Sequence, residues 1–223
     1  MAESVYWIAG TWPGRLAIVA RPRGGEWLAD EIHRWQQAGI DVIVSLLTRA
    51  ELAELHLQQE RHHAEQAGLR FLSFPIPDRS IPSSAGETRR LVEQLDRLLV
   101  EGKKIGIHCR QSVGRSALLA ASLLVHAGIN ADEAFHRIEI ARGCTVPETA
   151  EQREWVERFA ALAAAPLRLL GICSYSVYLW QQPFYELRAS FPPGLALVCA
   201  LLTGAASFYL FENPVRTWLN RNW

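Results

Sequence analysis

The sequence lacks clustered cysteines. Cys109, Cys144, Cys173 and Cys199 lie far apart and form no CxxC pair, so neither a structural zinc site nor a disulfide framework is expected, and the usage suits a reducing cytosol. An excess of either charge is also missing: 23 Lys and Arg balance 23 Asp and Glu. That balance argues against a general nucleic-acid binder, which needs a basic surplus to neutralise phosphates. The opening MAESVYWIAG has no basic start and no long apolar run, so no secretory signal is read there. Internal repeats and low-complexity segments are absent too. The His62-His63 pair has no carboxylate or cysteine at ligand spacing and reads as a solvated helix face, so no metal and no other cofactor is expected.

What is present is apolar material, 49% of 223 residues, enough for one ordinary domain and an appendage. The composition breaks near Pro166: charged residues are frequent before it, and acids almost vanish after it. A boundary is placed at residue 165. Within 1–165, Tyr6–Ala9, Leu16–Ala20, Asp41–Leu46, Phe71–Phe74 and Lys104–Ile107 read as strands. Asp41–Leu46 (DVIVSL) is a continuous apolar run of the kind buried on both faces. Helical spacing is read over Glu26–Ala38, with Leu28, Ile32 and Trp35 on one face, and over Leu47–His63. Further helices are read over Glu87–Val100, Gly114–Ala127, 131–142 and 148–164. Strands alternating with helices predict an α/β fold with a mostly parallel sheet flanked by helices.

The strongest signal is His108-Cys109-Arg110-Gln111-Ser112-Val113-Gly114-Arg115-Ser116, directly between a strand and an alanine- and leucine-rich helix. Such a loop aims backbone N–H groups at one point, and the helix N-terminus adds partial positive charge. A cysteine opening this anion cradle is set to react as the thiolate. Arg115, six residues on, can turn back and offer a planar fork to two phosphate oxygens, stabilising charge in the transition state. Cys109 is therefore the expected nucleophile on a phosphate monoester. The residues Arg110, Gln111, Ser112, Val113 and Gly114 are the expected substrate cradle. Arg110 either recognises an acidic substrate or is solvated.

His, Cys-x5-Arg and Ser in this order resemble the signature of the protein-tyrosine and dual-specificity phosphatase superfamily, and the resemblance runs from about residue 4 to 160. The family commonly has glycine where this chain has Ser112; serine fits there with a negative φ. The resemblance implies that Ser116 donates a hydrogen bond to the departing sulfur, while as a residue it also reads as satisfying the helix N-terminus. It assigns the general acid to Asp78, within Phe74-Pro75-Ile76-Pro77-Asp78-Arg79-Ser80-Ile81-Pro82, because related bacterial enzymes carry a similar IPDR segment. The bare alternative is a turn aspartate capping its own backbone. Asp30, Asp41 and Asp96 sit in poorer contexts. Gln152 resembles a family glutamine that positions water, or is a solvated helix residue. His108 is expected to order the loop.

The segment 166–223 differs. Gly194–Phe211 is an uncharged run of 18 residues, at the lower limit for a membrane helix, and Pro166–Tyr185 is also largely apolar. Arg168, Arg216 and Arg221 flank the two stretches, so a hairpin with both ends inside obeys the positive-inside rule. A transmembrane hairpin is therefore expected, anchoring a cytoplasmic catalytic domain to the inner membrane. LGICSYSVYLWQQPFYE and FENPVRTWLNR resemble the end of integral-membrane sugar O-acyltransferases, whose large remainder is absent. The expected function is hydrolysis of phosphotyrosine, with phosphoserine and phosphothreonine as further substrates, on a phosphorylated protein partner. The alternatives are a phosphate-recognition module, a phosphoinositide phosphatase and a fragment of a membrane acyltransferase.

Overall fold

The computed structural model describes residues 5–161 and 192–207. Strands β1 (Val5–Ile8), β2 (Arg15–Val19), β3 (Val42–Ser45), β4 (Arg70–Ser73) and β5 (Lys104–His108) form one sheet in the order β1-β2-β5-β3-β4. β1 runs antiparallel to β2, and the other three pairings are parallel. The mostly parallel sheet read from the sequence is thus present, with β5 at its centre.

Alternation along the strands divides the core. Leu16, Ile18, Val42, Val44, Ile105 and Ile107 face the layer of α4 (Ala85–Val100), α5 (Arg115–His126) and α6 (Ala131–Arg142). Ala17, Val19 and Ile43 face α1 (Leu28–Gln37) and α3 (Glu60–Gln66). The period of two that strand geometry imposes therefore feeds both faces, as a parallel sheet covered by helices requires. On α1 the buried residues are Leu28, Ile32 and Trp35, the face read from their spacing. Between β2 and β3, Gly106 leaves β5 thin: an added Cβ there would lie 2.9 Å from a methyl of Val19 and 3.1 Å from Ile43.

The single helix expected over Leu47–His63 is two short ones, α2 (Arg49–Glu54) and α3. They are broken at His56, whose φ is +55°. The Leu57 N–H returns to Leu52 O, and His56 O accepts from the Gly25 N–H. Helical periodicity survives such a break, because Leu52 of α2, Leu57 between the helices and Ala64 of α3 all pack into the same cluster. A seventh helix, α7, covers 150–161.

Residues Met1–Leu162 and Ala163–Trp223 form two compact units. In the second, α8 (Pro193–Ser207) is 15 residues long. Among the described residues no helix is long and apolar enough to cross a membrane, a crossing needing about 20 residues. The first expected span, over 166–185, lies outside the described residues.

Candidate active site

The site forms where the central strand ends. β5 delivers His108 and Cys109, the loop turns back, and α5 begins at Arg115 with Gly114 as its N-cap. No side chain caps α5, which leaves its first N–H groups for an anion. Gly114 has a steric reason to be glycine. A Cβ there would lie 2.8 Å from Gln152 Oε1 and 3.0 Å from its Nε2.

Cys109 is buried, and its Sγ accepts the backbone N–H of Ser112 at 3.2 Å. The condition under which serine would fit easily, a negative φ, is not met: φ of Ser112 is +57°. The loop needs the left-handed turn that glycine gives freely, and here the serine is held in it by bonds. Its Oγ donates to Val19 O at 2.7 Å, and its carbonyl accepts from Arg142 Nε at 2.9 Å. Gln111 and Val113 complete the cradle between Arg110 and Gly114. Arg21 Nε, just beyond β2, donates to Arg110 O at 3.3 Å.

Arg115 is buried among acceptors. Its Nη1 donates to Glu51 Oε2 at 2.9 Å and to Ile76 O at 2.8 Å; its Nη2 donates to Glu51 Oε1 at 2.8 Å and to Asp78 Oδ1 at 2.7 Å. The bidentate Glu51 partner was not found from the sequence. Its one local signal is Thr48-Arg49-Ala50-Glu51, a capping box that the structure forms: Glu51 N–H donates to Thr48 Oγ1, and Thr48 N–H to Glu51 Oε2. Burial pushes the Glu51 carboxyl up, but hydrogen bonds from Arg115 and Thr48 outweigh it and hold the carboxyl below the ordinary glutamate value. For Arg115, burial acts to pull the guanidinium down, and the Glu51 bond with the surrounding negative charge raises it instead.

Asp78 reaches this centre from the loop after β4 and is half exposed. Two of the rival aspartates are tied up structurally: Asp41 accepts the Lys104 N–H at 2.7 Å, and Asp96 accepts Trp12 Nε1 at 2.7 Å. Ser116 Oγ is fully buried and has no hydrogen-bond partner among the described residues, so it does not cap the helix. Gln152 is buried rather than solvated. Its Nε2 donates to Ser80 O at 3.1 Å, so it ties down the loop carrying Asp78.

His108 lies under the loop with its ring buried 5.5 Å from that of Trp35. Its Nε2 is 2.7 Å from Glu60 Oε1 but outside hydrogen-bond alignment, and the other Glu60 oxygen accepts from Ser45 Oγ at 3.2 Å. Arg110 lies at the surface, a third exposed, and is paired there. Glu54 holds it bidentately at 2.8 and 2.6 Å. The structure thus brings Cys109, Ser112, Arg115, Ser116, Asp78 and Gln152 to one place, and turns Arg110 toward α2. An N–H-lined cradle, a buried thiol and a forked cation suit nucleophilic attack on a phosphoryl group.

Comparison with known proteins agrees with that chemistry. The family model described as "Tc-R-P: Polymorphic toxin system, DSP-PTPase phosphatase" matches residues 18–129, half of the chain. Cyclin-dependent kinase inhibitor 3 of Rattus norvegicus is 29% identical over 144 residues, covering 64% of this chain and 68% of the relative. Among solved structures, kinase associated phosphatase with its catalytic-site cysteine replaced by serine aligns with a TM-score of 0.67 at 23% identity, covering 72% of this chain and 96% of that one. Tk-PTP in its active form aligns with a TM-score of 0.58 at 28% identity, covering 72% and 98%. The family model ends at residue 129, so the acyltransferase likeness of 166–223 lies outside it.

Proposed function

The chain belongs to the DSP-PTPase phosphatase family and is a cysteine-dependent dual-specificity protein phosphatase; from that premise we propose how its residues divide the work and what it acts on. Cys109 Sγ attacks phosphorus as the P–O bond to the leaving group breaks. Asp78 gives its proton to the departing oxygen, and the phosphoryl group is left on sulfur. Water then attacks the phosphocysteine, Asp78 takes up the proton, and Ser116 Oγ–H donates to the sulfur as it leaves. Arg115 grips the equatorial oxygens in both steps, oriented by Glu51. The loop N–H groups from Arg110 to Gly114 bind the same oxygens. Gln152 positions the acid loop.

One observation carries this reading: the sulfur of a buried cysteine faces a loop N–H at 3.2 Å, at the start of a helix whose first arginine is buried. The bond from Arg115 Nη2 supports the place of Asp78. A phosphate oxygen that takes Arg115 Nη2 displaces the Asp78 carboxyl and frees it for the leaving group. The substrates we propose are phosphotyrosine, with phosphoserine and phosphothreonine as further substrates, on proteins, in keeping with the kinase-directed names of two of the similar proteins.

The test is a side-by-side turnover panel of phosphotyrosine, phosphothreonine and phosphoserine peptides with phosphoinositides. Turnover of the peptides is expected, and exclusive turnover of the lipids would replace this substrate class. With Cys109→Ser, turnover is abolished while phosphate binding persists, because a hydroxyl is not ionised at neutral pH; a near-normal rate would end the nucleophile assignment.

We further propose that 1–165 is the catalytic domain, that it is cytoplasmic, and that 166–223 associates with the inner membrane. The last point rests on the 18-residue uncharged run and its basic flanks and is tested by membrane fractionation of the full chain.

A further inference from the structure

Ser112 occupies a conformation that costs a non-glycine residue about 1–2 kcal/mol. It is buried, and in that conformation its N–H faces the Cys109 sulfur. Something must hold it there, since φ at Ser112 sets how the chain runs on from that N–H to Gly114 and the start of α5. One hold is local to the core: Ser112 Oγ on Val19 O at 2.7 Å. The other comes from 30 residues away. Arg142, in the last turn of α6, places Nε 2.9 Å from Ser112 O. Its guanidinium lies over the Tyr6 ring of β1, 4.0 Å from the centroid, which fixes the plane of the fork. A loop that turns its N–H groups inward for an anion turns carbonyls outward, and each outward carbonyl needs a donor.

We propose that Arg142 is a positioning residue for the phosphate loop: clamped between Tyr6 and Ser112 O, it holds Ser112 in the left-handed turn that joins the N–H facing Cys109 to the start of α5. The proposal rests on Cys109 being the nucleophile. Arg142 touches no reacting atom and acts through Ser112. Where glycine stands at this position the turn needs no clamp, so the role belongs to this chain's serine.

The test is a double-mutant cycle on full-length protein, read as kcat/KM for an aryl phosphate with folding checked by thermal melting. Arg142→Gln is expected to lower kcat/KM about tenfold, the scale of one charged hydrogen bond. In a Ser112→Gly background the same change is expected to cost less than about twofold, whatever rate that background has, because glycine adopts the turn unaided. Arg142→Lys is expected not to restore the rate, since an ammonium gives charge without the planar stack. Equal losses in both backgrounds, no loss in the first, or full rescue by lysine would each overturn the proposal, the last by showing a field effect. If Arg142→Gln does not fold, Tyr6→Leu enters the cycle in its place. It removes the ring under the guanidinium, and the same non-additivity with Ser112→Gly is expected, with additivity again overturning the clamp. Cys109→Ser is run alongside. Retained turnover there ends the nucleophile assignment, whereas a dead Cys109→Ser with an additive cycle ends only the role of Arg142.

Discussion

The two loops that build the site differ in how firmly they are held. The phosphate loop is interior material: Cys109, Ser112, Arg115 and Ser116 are all at most 2% exposed, and the strain at Ser112 is held by bonds from β2 and α6. The loop carrying Asp78 is surface material. Its acid is half exposed, and Arg79 beside it, at φ +56°, pairs with Glu148 at the surface. The difference matches the chemistry. Donors that stabilise developing charge must be in place beforehand, because reorganising them during the reaction costs what they contribute. An acid must let substrate in, meet a leaving group, then serve water, and so works from the exposed tip of its loop.

That contrast can be broken or sharpened by substitution. The largest effect is expected of Asp78→Asn on a poor leaving group. Single-turnover cleavage of phosphotyrosine should fall about 10²–10⁴-fold, the usual contribution of general acid catalysis. The loss should be much smaller on a strongly electron-withdrawn phenol, which departs as the anion. Equal losses on both would make Asp78 structural and erase the distinction between the loops. Next comes Arg115→Lys, expected to cost about 10²–10³-fold, as for loss of one preorganised donor. Here the loss should be the same for every leaving group, since the phosphoryl oxygens do not change. A dependence on the phenol would place Arg115 in the acid's step.

Glu51→Gln is expected to do less to rate and more to stability, by about 1.5–3 kcal/mol for a hydrogen bond between charged groups, read from the urea midpoint. The Glu51 carboxyl is held below its unfolded value, so its stabilisation is full above about pH 4.3 and lost as pH falls through the folded value. The variant's stability should therefore fall less steeply on acidification; an unchanged acid limb would show that Arg115 does not depend on Glu51. The smallest effect is expected from removing 166–223. Turnover of an aryl phosphate by 1–165 should stay within about twofold of the full chain, near the limit of what kinetic comparisons resolve. An inactive product would mean that the tail completes the core.

The sequence carried the chemistry more clearly than its supports. Cys109, Arg115 and the strand–loop–helix context were legible because the seven residues Cys109–Arg115 encode the cradle locally, and the apolar runs Leu16–Val19 and Ile105–Ile107 encode the strands that present it. Glu51 was not legible as the partner of Arg115: they are 64 residues apart, and a capping-box glutamate announces only a helix start. Nor was the break at His56, because periodicity records which face is apolar and not whether the backbone is continuous. Ser112 was flagged as unusual, yet its φ went the other way, since tertiary bonds from Val19 and Arg142 outweigh a local preference. Arg110 was read as meeting an acidic substrate or solvent, and its exposed pairing with Glu54 was not foreseen, because it depends on where α2 ends.

The bond from Gln152 to Ser80 has a mechanical consequence. Ile76 is pinned by Arg115 on its carbonyl and by Leu46 on its amide, and Ser80 is pinned by Gln152. Only Pro77, Asp78 and Arg79 lie between the pins. A strap of three residues reaches at most about 10 Å when pulled straight, so the acid has a short stroke and no long lid to swing. With its ends already anchored, little closure entropy is left to lose when substrate arrives. One anchor also leans on the amide that crowds Gly114, so the strap and the cradle share a bearing. The timing of proton delivery would then be geared to the start of α5.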